Sequence, residues 1–419
     1  MNQKISKKAH SLDLLTVLAF LLVARISCPG LSNLPFFTMA FTFVYGIGFL
    51  IVFFLLYPRV TRGELGVLLA IALYTVYVLC RSILADRGLF STDAFNAYVI
   101  VFLTVIYLWV KRQPAQKQAQ LLMLILLALL FNYVYSIWVL EQDPGASRIA
   151  AATSSGLEKS PYDVLTAIGG FDAVYGGISV VAILICSLPS IRKGGFWKVF
   201  IFCILALALI FIFMAAYATA LLLLVFAIAL IFSSRSKVFT VLLIVGLALI
   251  LLFHEAVGQW IIEASKSLSN SRVLQQKFQE FGEMLKTFEA TGTYGGSDGR
   301  AARMQWSLNT FLQHPLLGGY GTANAKIGGH SELLDMLGKY GLIGFGLIAF
   351  FFISLYSDIM RGLENTRMKK CCSVVYFMWV VTAVLNPAMY SLQMLPLILM
   401  LPLADSFITN RQALLASDE

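Results

Sequence analysis

Charged side chains are scarce in this sequence. Of 419 residues only 13% are Asp, Glu, Lys or Arg, while 59% are hydrophobic, and the mean hydropathy is +0.81. A soluble chain of this length needs far more charge to cover its surface, which excludes a string of soluble domains. Cysteine is sparse and unpatterned: Cys28, Cys80, Cys186, Cys203, Cys371 and Cys372 all lie in or beside apolar runs, none at metal-ligand spacing, so packing is their ordinary use. No small-residue cleavage site follows the first apolar run, Leu12 to Ile26. Its basic start (Lys4, Lys7, Lys8) therefore reads as the flank of a retained helix, not of a removed signal peptide. Internal repeats are lacking too, as are Gly/Pro-interrupted helices at matching places in two halves, which counts against a transporter built from repeats.

What the sequence does have is long apolar runs. A membrane span needs roughly 17–25 such residues. That measure predicts an all-α fold, a polytopic transmembrane bundle of about twelve helices. They fall near 12–28, 36–57, 64–83, 94–110, 119–140, 165–188, 196–213, 215–233, 237–254, 331–358, 371–386 and 389–408. The stretch 196–233 is too long for one span and divides near Met214–Tyr217. The last pair hinges at Asn386-Pro387.

A net charge of +9 would suggest a nucleic-acid partner if it were not placed between the spans. With the N-terminus in the cytoplasm, the inner segments carry eighteen Lys and Arg residues. The short outer loops carry only Arg81, Arg87, Arg148 and Lys159. This bias is the one that orients helices in a bilayer, so the partner is the lipid bilayer, with no nucleic acid, and both termini are cytoplasmic. The chain then divides into nine spans (1–254), one large extracytoplasmic loop (255–330) and three further spans (331–419). The loop is expected to contain a helix from His254 to about Glu289, broken near Ser269-Asn270, a Gly-rich turn to Gly299, and a short helix Arg300–Gln313 ended by His314-Pro315.

The densest chemistry runs from Arg300 to Gly344. Arg300 and Arg303 share one face of the short helix, and His330 stands where the next span begins. Behind it Asp335 and Lys339, four apart, share one face about one to two turns into the span. Ionisable groups at that depth face the bundle interior or a water-filled cavity, with an internal ion pair as the plainer alternative. Arginine grips phosphate oxygens in a fork, and histidine moves a proton near neutral pH. Together they could hold a lipid-linked diphosphate and activate a hydroxyl against the carbon that bears it, with Gly318, Gly319 and Gly321 letting backbone approach the headgroup. Plainer roles stay open: arginines as headgroup anchors, His330 as an interfacial residue, Asp335 and Lys339 as packing, and Gly338, Gly341, Gly344 and Gly346 as helix contacts. The Asp and Glu residues form no tight outer cluster with His, so no metal and no cofactor are expected.

The order of these residues resembles the O-antigen ligase and Wzy-type polysaccharide polymerase superfamily. The match rests on Arg300, Trp306, Phe311, Pro315, Gly318, His330-Ser331, Leu333, Leu334, Leu337, Gly341 and Gly344, about 45 residues, together with the helix layout. The resemblance implies a GT-C-like bundle in the bacterial cytoplasmic (inner) membrane. It implies that Arg300, or Arg303 in a competing alignment, binds the lipid diphosphate, and that His330 is the catalytic base or orienter. The implied activity is a metal-independent glycosyltransferase that joins undecaprenyl-diphosphate-linked oligosaccharide repeats into O-antigen, capsule or exopolysaccharide. A chain-length regulator and a flippase would be its partners. The alternatives are an O-antigen ligase acting on lipid A core and a flippase or transporter for the same lipid-linked sugars. The chain departs from the family in one place. The connection Phe213–Ala220 has no base where an Arg is common, so either Arg148 or Arg272 supplies that charge or the helix division lies elsewhere.

The charge bias makes a direct prediction. A green fluorescent protein fused after Glu419 should fluoresce, and alkaline phosphatase inserted in the 284–299 stretch should be active; the reverse pattern would overturn the orientation.

Overall fold

The computed structural model describes residues 2–28, 31, 34–86, 91–142, 170–191, 195–215, 217–233, 253–267, 300–322 and 324–417, with single positions between 238 and 283. Of these, the side chains of 2–13, Ala218, His254, Arg300, Ala301 and 411–417 are left undescribed. Every regular element among the described residues is helical. The helices are α1 (Asn2–Ser27), α2 (Met39–Leu56), α3 (Arg62–Leu84), α4 (Thr92–Val110), α5 (Ala115–Gln142), α6 (Phe171–Ser187), α7 (Gly195–Ala215), α8 (Ala218–Ser233), α9 (His254–Ser265), α10 (Arg300–Gln313), α11 (Glu332–Gly362), α12 (Thr366–Leu385), α13 (Ser391–Leu395) and α14 (Leu401–Ser417). A π-helical turn, Pro396–Met400, joins the last two.

Nine helices among the described residues are long and apolar enough to cross a membrane, and Leu14–Ser27 and Thr219–Ser233 are shorter apolar helices. These correspond to eleven of the twelve expected spans. The twelfth, 237–254, lies almost wholly outside the described residues, as does the expected helix beyond Ser267. The division of 196–233 falls where expected, between Ala215 and Ala218, and the chain leaves α12 at Asn386. Helices α4, α6 and the α13–α14 run are the most buried and form the centre, while α2 is mostly exposed. The outer faces carry bare Val44, Ile51, Leu55, Phe202 and Ile353, an apolar surface too extensive for water.

Local signals start the helices. Thr61 and Glu64 form a capping box on α3, and Ser91 and Ser331 cap α4 and α11 with their side-chain oxygens. The N-terminus of α13 is served from another helix: Asp172 of α6 accepts from Leu392 N, Gln393 N and Ser391 Oγ. Two ion pairs bracket α4 against α11, Lys339–Asp93 at 2.8 Å near one end and Lys111–Asp358 at 2.8 Å near the other. The first stands in place of the Asp335–Lys339 pair that the spacing left open, because the Lys339 ammonium reaches across to α4 instead.

Helix α11 is broken. Gly341 sits at φ 61°, ψ −166°, outside the helical region and open in practice only to glycine. Such a break frees the carbonyls of Gly338 and Lys339 and the N–H groups of Leu342 and Ile343, which an unbroken helix would pair with one another. The turn after α10 takes all four. Gly319 N and Tyr320 N donate to Gly338 O and Lys339 O at 2.8 and 3.3 Å, and Leu342 N and Ile343 N donate to Pro315 O and Leu316 O at 2.8 and 3.2 Å.

Gly341→Ala should therefore cost about 1–3 kcal/mol from the backbone alone, and its Cβ would also strike the Leu316 carbonyl. Gly346→Ala, with open space around it on the same helix, is the control. The melting temperature in detergent should fall for the first variant and hold or rise for the second.

Candidate functional site

The short helix α10 is fastened to the loop before α11 along one face, at spacings of four and three. Arg303, Ser307 and Thr310 meet residues 330, 328 and 326 in antiparallel order. Thr310 Oγ1 donates to Lys326 O at 2.9 Å and accepts from Lys326 N at 3.1 Å. Ser307 Oγ accepts from Gly328 N at 2.9 Å and donates to Asp335 Oδ1 at 2.5 Å. Arg303 Nη1 lies 3.1 Å from His330 Nε2. Gly328 packs so closely on the Arg303 carbonyl that a Cβ there would collide.

Guanidinium has no acceptor, so in the last contact Arg303 donates and His330 Nε2 accepts. The proton of the neutral imidazole then sits on Nδ1. The backbone on both sides of His330 is held by one carboxylate. Asp335 accepts from Gly329 N at 3.2 Å and Ser331 N at 3.4 Å, besides Ser307. Asp335 is only 6% exposed, and a buried carboxylate is tolerated because these donors replace water. Arg303 keeps one buried donor, Nε, with no hydrogen-bond partner among the described residues.

The glycines of the preceding turn correct an expectation. Gly318 and Gly321 have φ of 72° and 87°, but what comes close to them is this chain itself, the Lys339 carbonyl and Ala85. That turn is fastened to α3. Arg81 Nη2 donates to Gly318 O and Tyr320 O, both at 2.8 Å, and the Tyr77 hydroxyl serves Leu317 O and Tyr340 O at 3.0 and 3.1 Å. Behind His330, Glu332 accepts from Ala388 N at 2.9 Å, tying α11 to the turn after α12.

Of the sequence-predicted residues, His330 and Arg303 come together. Arg300 begins α10, its side chain lying outside the described residues, as do Arg148 and Arg272. Arg81, Tyr77, Asp93 and Ser307 were missed as parts of this region. Arg81 carried a usable signal, as one of four basic residues against the charge bias. Among the described residues no group of three or more His, Cys, Asp or Glu side chains is gathered to hold a metal ion. No family model matches the chain, and no curated protein matches it significantly.

Ser307→Ala would strip a partner from both the buried Asp335 oxygen and Gly328 N–H, a loss of about 1–3 kcal/mol. Because Ser307 and Asp335 share one network, the double variant Ser307→Ala/Asp335→Asn should lose clearly less than the sum of the singles. Denaturation in detergent measures this, and additive losses would refute the shared network.

Proposed function

We propose that this chain is a polysaccharide polymerase of the inner membrane, joining polyprenyl-diphosphate-linked oligosaccharide repeats at the outer face. The observation that carries the reading is the Arg303–His330 contact, held at one end of the helical bundle by the Asp335 network. Under this reading about twelve helices in a GT-C-like arrangement cross the bilayer, with both termini inside. The segment of α11 after Gly341 supports the placement: its 21 residues, Leu342 to Gly362, extend about 31 Å, close to the ~30 Å hydrocarbon core. The segment Glu332–Tyr340, which carries Glu332, Asp335 and Lys339, and His330 then stand outside that core, so under this reading the span starts later than the expected 331–358.

The reaction is a substitution at the anomeric carbon of the donor sugar. An acceptor hydroxyl oxygen bonds to that carbon, the bond from carbon to the diphosphate oxygen breaks, and the lipid diphosphate departs with the electron pair. The hydroxyl proton passes to His330 Nε2, which carries the lone pair. Arg303 and Arg300 meet the charge that grows on the leaving diphosphate, a bidentate task suited to guanidinium. In the arrangement described, Arg303 donates to the very nitrogen that would serve as base. A diphosphate that takes the guanidinium frees Nε2, so donor arrival and base release are one event.

In cells, His330→Ala, Arg303→Ala and Arg300→Ala should each abolish chain elongation while protein level and melting temperature hold, leaving single repeats on the acceptor. Full-length polymer from His330→Ala would overturn the catalytic role. A complete loss of attached glycan would identify a ligase, and repeats stranded on the cytoplasmic face a flippase.

A further inference from the structure

At the opposite end of the bundle from His330, the ends of α6, α8 and α12 surround a cavity of about 350 Å³. Its lining has two characters. Thr366, Arg367 and Lys370 are exposed on the first turns of α12, with the two cations three residues apart and so on one face. Cys186 and Ile231 are buried, and with half-buried Val374 they make an apolar wall. The positive end of the α12 dipole adds to the two side-chain charges.

The turn that sets this rim is rigidly held. Asp405 accepts from Glu364 N at 2.9 Å and Asn365 N at 3.1 Å, and Asn365 caps α12 by accepting from Arg367 N at 2.8 Å. The Asp405 carboxylate is thereby committed to the backbone of this turn. The volume lies in the range of small-ligand sites, and a cationic mouth over an aliphatic wall between helices is a basic pocket of the kind that takes a phosphate headgroup.

We propose that this cavity binds the phosphate of an anionic glycerophospholipid, Arg367 and Lys370 holding the headgroup and the wall of Cys186, Ile231 and Val374 covering the start of an acyl chain. Nothing in the polymerase reading is needed for this; it requires only that the helices stand in a bilayer. A free phosphate would share the charge chemistry but make no use of the wall.

Native mass spectrometry of the full chain in detergent can test it with dioleoyl phosphatidylglycerol and dioleoyl phosphatidylcholine as probes. One phosphatidylglycerol should bind saturably and in preference to phosphatidylcholine. Arg367→Gln/Lys370→Gln should weaken it about thirtyfold, the weight of two basic side chains at a lipid surface. Arg59→Gln, which removes an exposed charge at the same end but outside the cavity, should not. Val374→Trp, which fills the wall, should weaken phosphatidylglycerol binding without changing charge. Melting temperatures report whether the variants fold, and if Val374→Trp fails, the charge variant decides alone. Equal binding of the two lipids, or indifference to Arg367→Gln/Lys370→Gln, would overturn the proposal. So would full displacement of the lipid by inorganic phosphate, which would make this a free-phosphate site.

Discussion

An apolar interior tolerates no unpaired backbone, and α11 breaks its own ladder at Gly341. The four groups the break releases are the constraint around which this end of the molecule is built. They are met by the turn 315–320, whose two donors and two acceptors match them one for one. Pro315 suits its place because it has no N–H to satisfy and gives up only a carbonyl. Gly318 is glycine because the turn runs flush against the Lys339 carbonyl. The spaced glycines and proline that resemble a family pattern thus have a physical reason in this chain: they are the two halves of one backbone ladder, 26 residues apart from Pro315 to Gly341.

On that ladder a second layer is set. Asp335 gathers the hydroxyl of Ser307 and the N–H groups flanking His330, so the histidine is presented by a peptide fixed on both sides. Arg303 then meets His330 from a helix that is itself tied down at Ser307 and Thr310. Farther out, Lys339–Asp93 and Lys111–Asp358 keep α4 and α11 in register from both ends. Asp93, Lys111 and Asp358 sit near helix ends and Lys339 beside the break at Gly341, where the cost of a charge in an apolar surrounding is least.

Much of this was legible in the sequence. Spans announce themselves because a helix that satisfies its own backbone in lipid must be long and apolar, so the division of 196–233 at Ala215 and the start of α9 at His254 could be read directly. Helix α10 was read to the residue, Arg300 to Gln313, since Pro315 leaves little choice. The break in α11 was not, because a single glycine in an apolar run is usually a close contact, and only the turn that pairs with it makes it a hinge point. Asp335 and Lys339 have the spacing of a pair, yet their partners lie elsewhere, Asp93 being 246 residues from Lys339. No local pattern encodes such a choice. The two arginines of α10 are likewise equivalent by spacing, and only the fold places Arg303 at His330.

The break in α11 also makes a lever. The nine residues from Glu332 to Tyr340 form an arm of about 13 Å beyond the fulcrum at Gly341. Tilting that arm by about 10° would carry its tip roughly 2.4 Å, on the same 1.5 Å rise. That exceeds the tolerance of a hydrogen bond such as the 3.1 Å contact between Arg303 and His330. The arm's aim must hold to a few degrees, which is the mechanical reason that α3, α4, α10 and the turn after α12 each hold it or the turn it rests on.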